Sequence, residues 1–165
     1  MHITAKVDYA VRTLIELAAA GPSPSKAEFL AHAQTIPHKF LEAVLADLRR
    51  GGLVNSRRGP DGGYWLARPA SDISIADVIR TVEGPLASVR GERPEDVEYG
   101  GPAAKLQDVW IAVRVNLRAV LENVSVADIA EQRLPDFLTA LTADPGAWER
   151  RPRAAAPAAE DAQRG

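Results

Sequence analysis

Residues 36–69 read IPHKFLEAVLADLRRGGLVNSRRGPDGGYWLARP, and this stretch predicts a helix that is followed at once by a β-hairpin. Five apolar residues recur at the spacing of one helical face: Phe40, Leu41, Val44, Leu45 and Leu48. Pro37 suits the first turn, where its missing N–H would have no partner in any case. Arg49 and Arg50 suit the last turn because cations offset the negative end of the helix dipole, and Gly51-Gly52 supplies a left-handed stop.

The predicted hairpin has a basic tip. Two strand-like runs, Leu53-Val54 and Tyr64-Trp65-Leu66, flank the turn GPDGG at residues 59–63. Arg57 and Arg58 stand at the approach to that turn. A helix with a polar outer face beside a basic hairpin tip is typical of a winged helix that reads DNA. A core helix beside a surface hairpin is the simpler alternative, but it does not explain why the basic residues gather beside the glycines.

Two further helices are predicted before this stretch. Residues 4–20 form an amphipathic helix that Thr4 can cap. The sequence Ser25-Lys26-Ala27-Glu28 resembles a capping signal for a short helix that ends near Ala33. Only residues 34–36 separate this short helix from the one above, and that spacing is typical of a helix-turn-helix.

The second half of the chain predicts a long loop and then a helix with a coiled-coil-like seam. A helix begins at Ser74 and stops at Gly84, and the loop at residues 85–102 is of a length that is often functional. The helix predicted over residues 103–124 has apolar residues at alternating spacings of three and four: Leu106, Trp110, Val113, Leu117, Val120 and Val124. We expect this seam to pair with a second copy of the chain; packing back on its own chain is the alternative.

Together these elements predict a mainly α fold with four regions. A winged helix-turn-helix domain with a two-stranded wing occupies residues 1–84, and a sensor-type loop occupies residues 85–102. A long dimerisation helix and short C-terminal helices occupy residues 103–142. Residues 143–165 are rich in Ala, Pro, Arg and Glu, so we expect a disordered tail there.

Composition excludes several classes of protein. The 165 residues contain no cysteine, which rules out disulfides, thiolate metal sites and cysteine-ligated iron–sulfur clusters. No apolar run approaches the roughly 20 residues of a membrane span, and the early charges at Lys6, Asp8 and Arg12 are unlike a signal peptide. We therefore expect a cytoplasmic protein with no membrane partner. The net charge is −2, but residues 1–70 carry 9 Lys/Arg against 6 Asp/Glu, so the predicted winged domain is locally basic.

A set of motifs spread over about residues 1–132 resembles the IscR/NsrR/CymR family of bacterial transcription regulators, also called the Rrf2 family. The motifs are Ile3-Thr4-x-Lys6, Tyr9-Ala10-Val11, Phe40-Leu41-Glu42, Leu48-Arg49-Arg50-x-Gly52-Leu53-Val54, Arg58-Gly59-Pro60-x-Gly62-Gly63-Tyr64, Leu66-Ala67-Arg68-Pro69, Ile73–Ile79, Val82–Leu86 and Val126-Ala127-Asp128. The combination is specific, whereas a lone glycine-rich turn would not be. The resemblance implies a homodimer of winged domains that binds a pseudo-palindromic operator in double-stranded DNA, usually as a repressor.

The resemblance also assigns roles to individual residues. It implies that Lys39, Phe40, Glu42 and Ala43 face the major groove, where a carboxylate could accept from a cytosine amino group. It implies that Arg58 and Gly59 at the wing tip enter the minor groove, which favours arginine where it is narrow. Five further basic residues are expected to contact the DNA, mostly at phosphates: Lys6, His38, Arg49, Arg50 and Arg57.

This chain departs from the family in its loop. Many members hold an iron–sulfur cluster through three cysteines there, and this chain has none, so we expect no cofactor. Asp8 and His32 lie near the places where some members add a carboxylate and a histidine ligand. A charge at a helix N-terminus and a surface histidine explain these two residues more simply, so we expect no metal site.

Two other classes of function are compatible with parts of the sequence. A protein-binding module or regulatory subunit would keep the fold without reading DNA, and Asp47 and Asp61 beside the basic face make this alternative conceivable. An enzyme is not expected, because the histidines and carboxylates match no nucleophile, phosphate-loop or metalloprotease spacing. A small-molecule or protein effector could bind at the 86–102 loop and around Trp110, but nothing in the sequence identifies it.

Overall fold

The structure, a computed structural model, describes residues 2–150. Over these residues it has seven α-helices and one antiparallel two-stranded sheet, and it confirms the predicted mainly α winged-helix fold. In chain order the elements are α1 Ala5–Ala20, α2 Ala27–Gln34, α3 His38–Arg50, β1 Val54–Arg57, β2 Gly63–Leu66, α4 Ile75–Val82, α5 Leu106–Leu121, α6 Val126–Ala130 and α7 Asp136–Ala143. The chain up to Pro135 forms one compact unit, and a second begins at Asp136.

The first three helices share one leucine core. The fully buried side chains come from the inner stripe of each helix: Leu14 and Leu17 of α1, Leu30 of α2, and Leu41, Leu45 and Leu48 of α3. Each such side chain contributes about 1.5–3 kcal/mol relative to an exposed one. As predicted, Thr4 caps α1 by accepting from the Val7 amide at 3.2 Å. The connector between α2 and α3 turns at Thr35, which has a left-handed φ of 51°.

The wing is attached to the start of α2 by a backbone bridge. In the hairpin, Val54 pairs with Leu66 and Arg57 pairs with Gly63. Ser25 and Tyr64 exchange two backbone hydrogen bonds of 2.8 Å each, so Ser25 acts as a one-residue third strand. The prediction that Ser25 caps α2 is therefore wrong: Lys26 stands at the N-cap, without a side-chain cap, because the backbone of Ser25 is committed to the sheet.

The segment after α5 returns to the winged domain. Ser74 and Ser125 each begin a helix with a capping box, closed by Asp77 and Asp128, and the two serines face each other in a backbone bridge. The hydrogen bonds from Ser125 lower the pKa of the Asp128 carboxyl. α6 packs against α1, and Val126 belongs to the same core as the leucines. The first compact unit therefore runs well past residue 84, where the sequence suggested a boundary.

The ends of two predicted segments differ from the structure. The helix predicted over residues 103–124 spans only Leu106–Leu121, because Gly101–Ala103 form a 3-10 turn and Val124 leaves the helix to become buried in its own chain. Within the segment expected to be disordered, Pro145–Ala147 form a short 3-10 turn. Residues 151–165 of that segment lie outside the described residues. None of the helices in the described part of the chain is long and apolar enough to cross a membrane.

A charged cluster connects the ends of α1, α3 and α4. The Lys6 ammonium lies 2.6 Å from the Asp47 carboxylate and donates to the carbonyl oxygen of Val82 at 2.8 Å, and Arg50 pairs with the same carboxylate. Only 13% of the Asp47 side chain is exposed. The hydrogen bond from Lys6 is the main cause that holds the pKa of Asp47 below its ordinary value of 3.8, against the opposing effect of burial.

We predict that alanine at residue 63 destabilises the protein. Gly63 has a φ of 153°, and a Cβ there would lie 2.6 Å from the Ser25 carbonyl oxygen. Gly63→Ala should lower the free energy of unfolding by about 2 kcal/mol and speed amide exchange at Tyr64. The matched control is Gly100→Ala, where the φ is −105° and a Cβ meets no atom within 4 Å. Equal stability of the two variants in urea denaturation would contradict the role of the bridge.

The charged cluster predicts a dependence of stability on pH. Because the native pKa of Asp47 is depressed, its contribution is full above about pH 5 and is lost as the pH falls through that native pKa. Asp47→Asn should cost about 1 kcal/mol at neutral pH, since Lys6 is partly exposed. The cost should shrink at about pH 3, as measured by urea denaturation at both pH values. Asp61→Asn, at an exposed residue of the wing tip, serves as the control, and a pH-independent cost of Asp47→Asn would contradict the prediction.

Candidate nucleic-acid interface

The outer face of α3 is exposed where the sequence predicted base contacts. His38, Lys39, Phe40, Glu42 and Ala43 are all exposed, on the side opposite the buried leucines. The Phe40 side chain is 63% exposed, and the Tyr9 ring meets it edge-on with centroids 6.3 Å apart. A large ring that is supported from one side and open on the other is suited to contact with a partner surface.

Two carboxylates flank the imidazole at the start of α3. The Nδ1 atom of His38 lies 3.7 Å from Glu42, and its Nε2 atom lies 4.0 Å from Glu28. These separations exceed hydrogen-bond length, and all three side chains are largely exposed. The Glu42 carboxylate is therefore available to accept a hydrogen bond from outside the protein.

Hydrogen bonds to the backbone shape the tip of the wing. Arg57 donates to the carbonyl of Asp61 at 3.0 Å, and Lys26 donates to the carbonyl of Gly59 at 2.8 Å. Gly59 has a φ of 105°, and a Cβ at Gly62 would lie 2.1 Å from the carbonyl oxygen of Arg57. The chain between Arg57 and Gly63 consequently forms a tight turn, and residues 57–61 are exposed.

The predicted basic contacts separate into paired and unpaired cations. Lys39 and Arg58 form no hydrogen bond or ion pair with the residues that the structure describes, so both charges are free to meet an anion. Arg49 donates one long hydrogen bond to the Ser56 hydroxyl oxygen, at 3.3 Å. Lys6 and Arg50, in contrast, are engaged by Asp47. The sequence predicted that Lys6 contacts a DNA phosphate, but in the structure its charge is paired with Asp47 of the protein itself.

The structure adds supporting residues that the sequence interpretation missed. Lys26 reaches the carbonyl of Gly59 at the wing tip, 33 residues further along the chain, and no local pattern indicates that contact. Arg12 lies over the Tyr9 ring at 5.6 Å and donates to Gln34 at 3.0 Å. Together these contacts hold Tyr9 behind Phe40. In the sequence, Tyr9 stood out only as part of the family motif in the first helix, and nothing there indicated its contact with Phe40.

The two residues considered as a remnant metal site both lie on the surface of the structure. Asp8 pairs with Arg12 at 2.8 Å, and His32 is exposed on α2. Across residues 2–150, no three side chains of His, Cys, Asp or Glu come together in a way that could hold a metal ion.

The predicted dimerisation residues fall on different sides of α5. Trp110 is half-buried, and its indole N–H donates to the Tyr99 hydroxyl at 3.0 Å. With Val113 and Leu117 it lines a cavity of about 380 Å³ against α1 and α4. Leu106 is also half-buried, and Val124 lies beyond the helix. A shallow apolar groove of about 500 Å³ runs along the adjacent face and shares Val113 and Leu117 with that cavity; the rest of its lining is Val109, Ala112, Asn116, Val120 and Leu121.

Comparison with known proteins identifies the family. The family model Rrf2, described as an iron-dependent transcriptional regulator, matches residues 3–132. The chain is 48% identical over 150 residues to Rv1287 of Mycobacterium tuberculosis, whose name places it among HTH-type transcriptional regulators, and the match covers 90% of this chain and 93% of that protein. It is 35% identical over 131 residues to CymR of Bacillus subtilis, over 79% of this chain and 90% of that one.

Solved structures agree with this assignment. The structure of CymR, the global cysteine regulator of B. subtilis, superposes with a TM-score of 0.68 at 32% identity, covering 80% of this chain and 98% of that one. IscR of T. potens gives a TM-score of 0.65 at 30% identity, covering 80% and 88%.

The iron named in the family description does not fit the residues of this chain. The sequence contains no cysteine to supply thiolates. The loop at residues 86–102 offers only hard carboxylates, and one of them, Glu95, is already paired with Arg114. A cluster of iron and sulfide needs soft ligands that this donor set lacks. The chain therefore belongs to the Rrf2 family of DNA-binding helix-turn-helix transcriptional regulators, as a member without the thiolate ligands of an iron–sulfur cluster.

Proposed function

We propose that the protein is a dimeric repressor that reads a pseudo-palindromic operator without an iron–sulfur cluster. The observation that carries this proposal is the pairing of an exposed α3 face with an exposed wing tip. Each presents an unpaired cation, Lys39 on the helix and Arg58 on the wing. Both elements rest on the same leucine core, so their spacing is fixed before any DNA binds, and little ordering cost remains.

In this proposal, α3 reads bases in the major groove. The Glu42 carboxylate accepts from a cytosine amino group, and the Phe40 ring packs against a thymine methyl group, as apolar side chains do in the major groove. Ala43 is small and lets the helix approach the base edges closely. Lys39 and His38, near the positive end of the α3 dipole, lie where a phosphate or a guanine is favoured.

The wing contributes an arginine to the minor groove and cations to the backbone. Arg58 projects beside Gly59, whose lack of a side chain leaves room for the sugar edges. A narrow A/T-rich groove has a strongly negative potential, which favours an inserted guanidinium. Arg57 and Arg49 flank it as phosphate contacts, which position the protein without reading sequence.

The groove on α5 supports dimerisation. Its lining residues follow one another at alternating spacings of three and one, so every second one is four residues on, which is the pattern of a helix face that packs on another helix. Val113 is 43% exposed and Val109 is 51% exposed, and the small Ala112 between them lets a second helix come close. We propose that the same groove of a second copy covers it. Of the predicted seam, Val113, Leu117 and Val120 belong to this surface, whereas Leu106 and Trp110 support it from behind.

Two copies joined in this way would present their wings to successive turns of one duplex face. A dimer seated on a promoter occupies the surface that RNA polymerase needs, which is why we propose repression. Because bacterial chromosomal DNA lies in the cytoplasm, we place the protein there. No catalytic step is needed for this function.

DNA binding tests the role of the wing. We expect Arg58→Ala to weaken binding to the intergenic DNA beside its own gene by about tenfold or more, or roughly 1–3 kcal/mol, with the larger loss at A/T-rich flanks. The plot of log K against log salt should be steep, with about 0.9 lost per neutralised phosphate. Arg133→Gln, at an exposed arginine that pairs with Glu131 outside the interface, is the control. If the wild type binds no inverted repeat at low salt, the proposal fails.

Two valine substitutions test the dimer surface. Val113 lines the groove, whereas Val115 is 55% exposed and does not line it. Val113→Glu should convert the dimer to a monomer in sedimentation measurements, because a buried carboxylate without a partner is costly, and should weaken operator binding at least tenfold. Val115→Glu should remain dimeric and bind normally. Dissociation by both variants, or by neither, would argue against this groove as the interface.

A further inference from the structure

A second cavity beside α5 is lined by an unusual number of arginines. Its volume is about 420 Å³, and it lies between the end of α4, the loop after it, and one side of α5. Four guanidinium groups line it, from Arg80, Arg93, Arg114 and Arg118, together with the single carboxylate of Glu95. The rest of the lining is the short segment Gly84–Ala87. Arg114 and Arg118 are one helical turn apart, so they face the cavity together.

The carboxylates around this cavity do not balance its cations. Arg114 pairs with Glu95. Arg80 pairs with Glu122, and Arg118 reaches the same Glu122 oxygen only at 3.7 Å. The guanidinium of Arg93 forms no hydrogen bond or ion pair with any side chain in residues 2–150. The cavity therefore retains a net positive charge after both carboxylates are counted.

One hydrogen-bond donor of Arg114 has no acceptor among the described residues. Its side chain is only 16% exposed, and its buried Nε–H group finds no acceptor among the residues that the structure describes. Buried donors in folded proteins nearly always have a partner, and an exception calls for an explanation. The Arg114 side chain would have to turn toward the cavity for a ligand oxygen to supply that acceptor.

We propose that this cavity binds a small organic anion with two or more carboxylate or phosphate groups. The planar guanidinium matches both groups through paired N–H donors, so four of them favour a polyanion over a monovalent ion. The volume falls within the range of small-molecule sites, about 300–1,000 Å³. This inference names the chemical class of an effector for the proposed regulator. The binding of the anion stands by itself, and only its effect on DNA binding rests on the proposed function.

The location favours a small molecule over the DNA backbone. The cavity lies at the C-terminal end of α4. There α4 contacts the C-terminal end of α3, where the side chain of Thr81 packs against Gly51. The α3 residues proposed to read bases lie toward the opposite end of the helix, on the order of 15 Å away along a helix of this length, and only Arg49 among the proposed phosphate contacts of α3 lies near Gly51. The anion would instead join Arg80 of the winged domain to Arg114 and Arg118 of α5.

Binding can be measured on the full-length protein without DNA. The probes are citrate and inorganic phosphate, titrated by calorimetry and thermal unfolding at constant ionic strength, with sodium chloride as the reference. We expect saturable citrate binding with a Kd below about 1 mM and a matching rise in Tm. Arg93→Gln and Arg118→Gln should each weaken binding at least tenfold, whereas Arg133→Gln should not. No saturable binding, or equal loss with the control variant, would overturn the proposal.

A DNA-binding arm separates this proposal from the proposed function. Without the anion, Arg93→Gln should bind the operator as tightly as the wild type does. If it binds DNA more weakly in that condition, the cavity is a phosphate contact and the proposal is wrong. If the protein binds citrate but no DNA, the anion site stands and the repressor proposal fails. Arg114→Gln, which could also loosen the fold, is interpreted only if its circular dichroism and Tm without anion match those of the wild type.

Discussion

Burial of the inner face of α3 is the constraint on which the rest of the structure depends. Leu41, Leu45 and Leu48 are fully buried where α3 packs against α1, α2 and α4, and this fixes the rotation of α3 about its own axis. With 3.6 residues per turn, that rotation alone puts Lys39, Glu42 and Ala43 on the outside. A rotation of even one residue would bury a charge without a partner, which is far more costly than any gain at the surface. The chemistry of the exposed face is therefore specified by the core beneath it.

Helix positions follow from local signals, but the attachment of the wing does not. Thr4, Ser74 and Ser125 mark helix starts because a capping serine or threonine acts within three residues of itself. Ser25 carries the same signal, yet its backbone pairs with Tyr64, which is 39 residues away. A sequence motif reports the local preference, and a sheet contact that forms only in the folded chain overrides it. The wing arginines were predictable from composition, whereas the Lys26 contact that supports their turn was not.

Charges illustrate a second limit of the sequence. Lys6, Lys39 and Arg58 look alike as isolated basic residues beside a predicted DNA surface. The fold brings Asp47 against Lys6 and leaves the other two without partners among the described residues. Which cations are free is set by long-range packing, so sequence alone overestimates the number of available phosphate contacts. The same reasoning applies to Val124, which continues the seam by spacing but leaves α5 and becomes buried once the chain turns toward Ser125.

The helix α5 faces three environments, and this division links the proposals. Trp110 packs toward the winged domain, Val109 and Val120 line the open groove, and Arg114 and Arg118 line the basic cavity. An anion held between Arg80 and α5 would change how firmly the winged domain is fixed to α5, the helix that would set the distance between two wings in the proposed dimer. Coupling of this kind is reciprocal: if the anion favours one spacing and the operator another, each must weaken the binding of the other by the same factor. In a sensor of this design the joint between α4 and α5 would be the bistable element, and the arginines would provide the differential affinity that shifts it, so the mechanism would not require a metal.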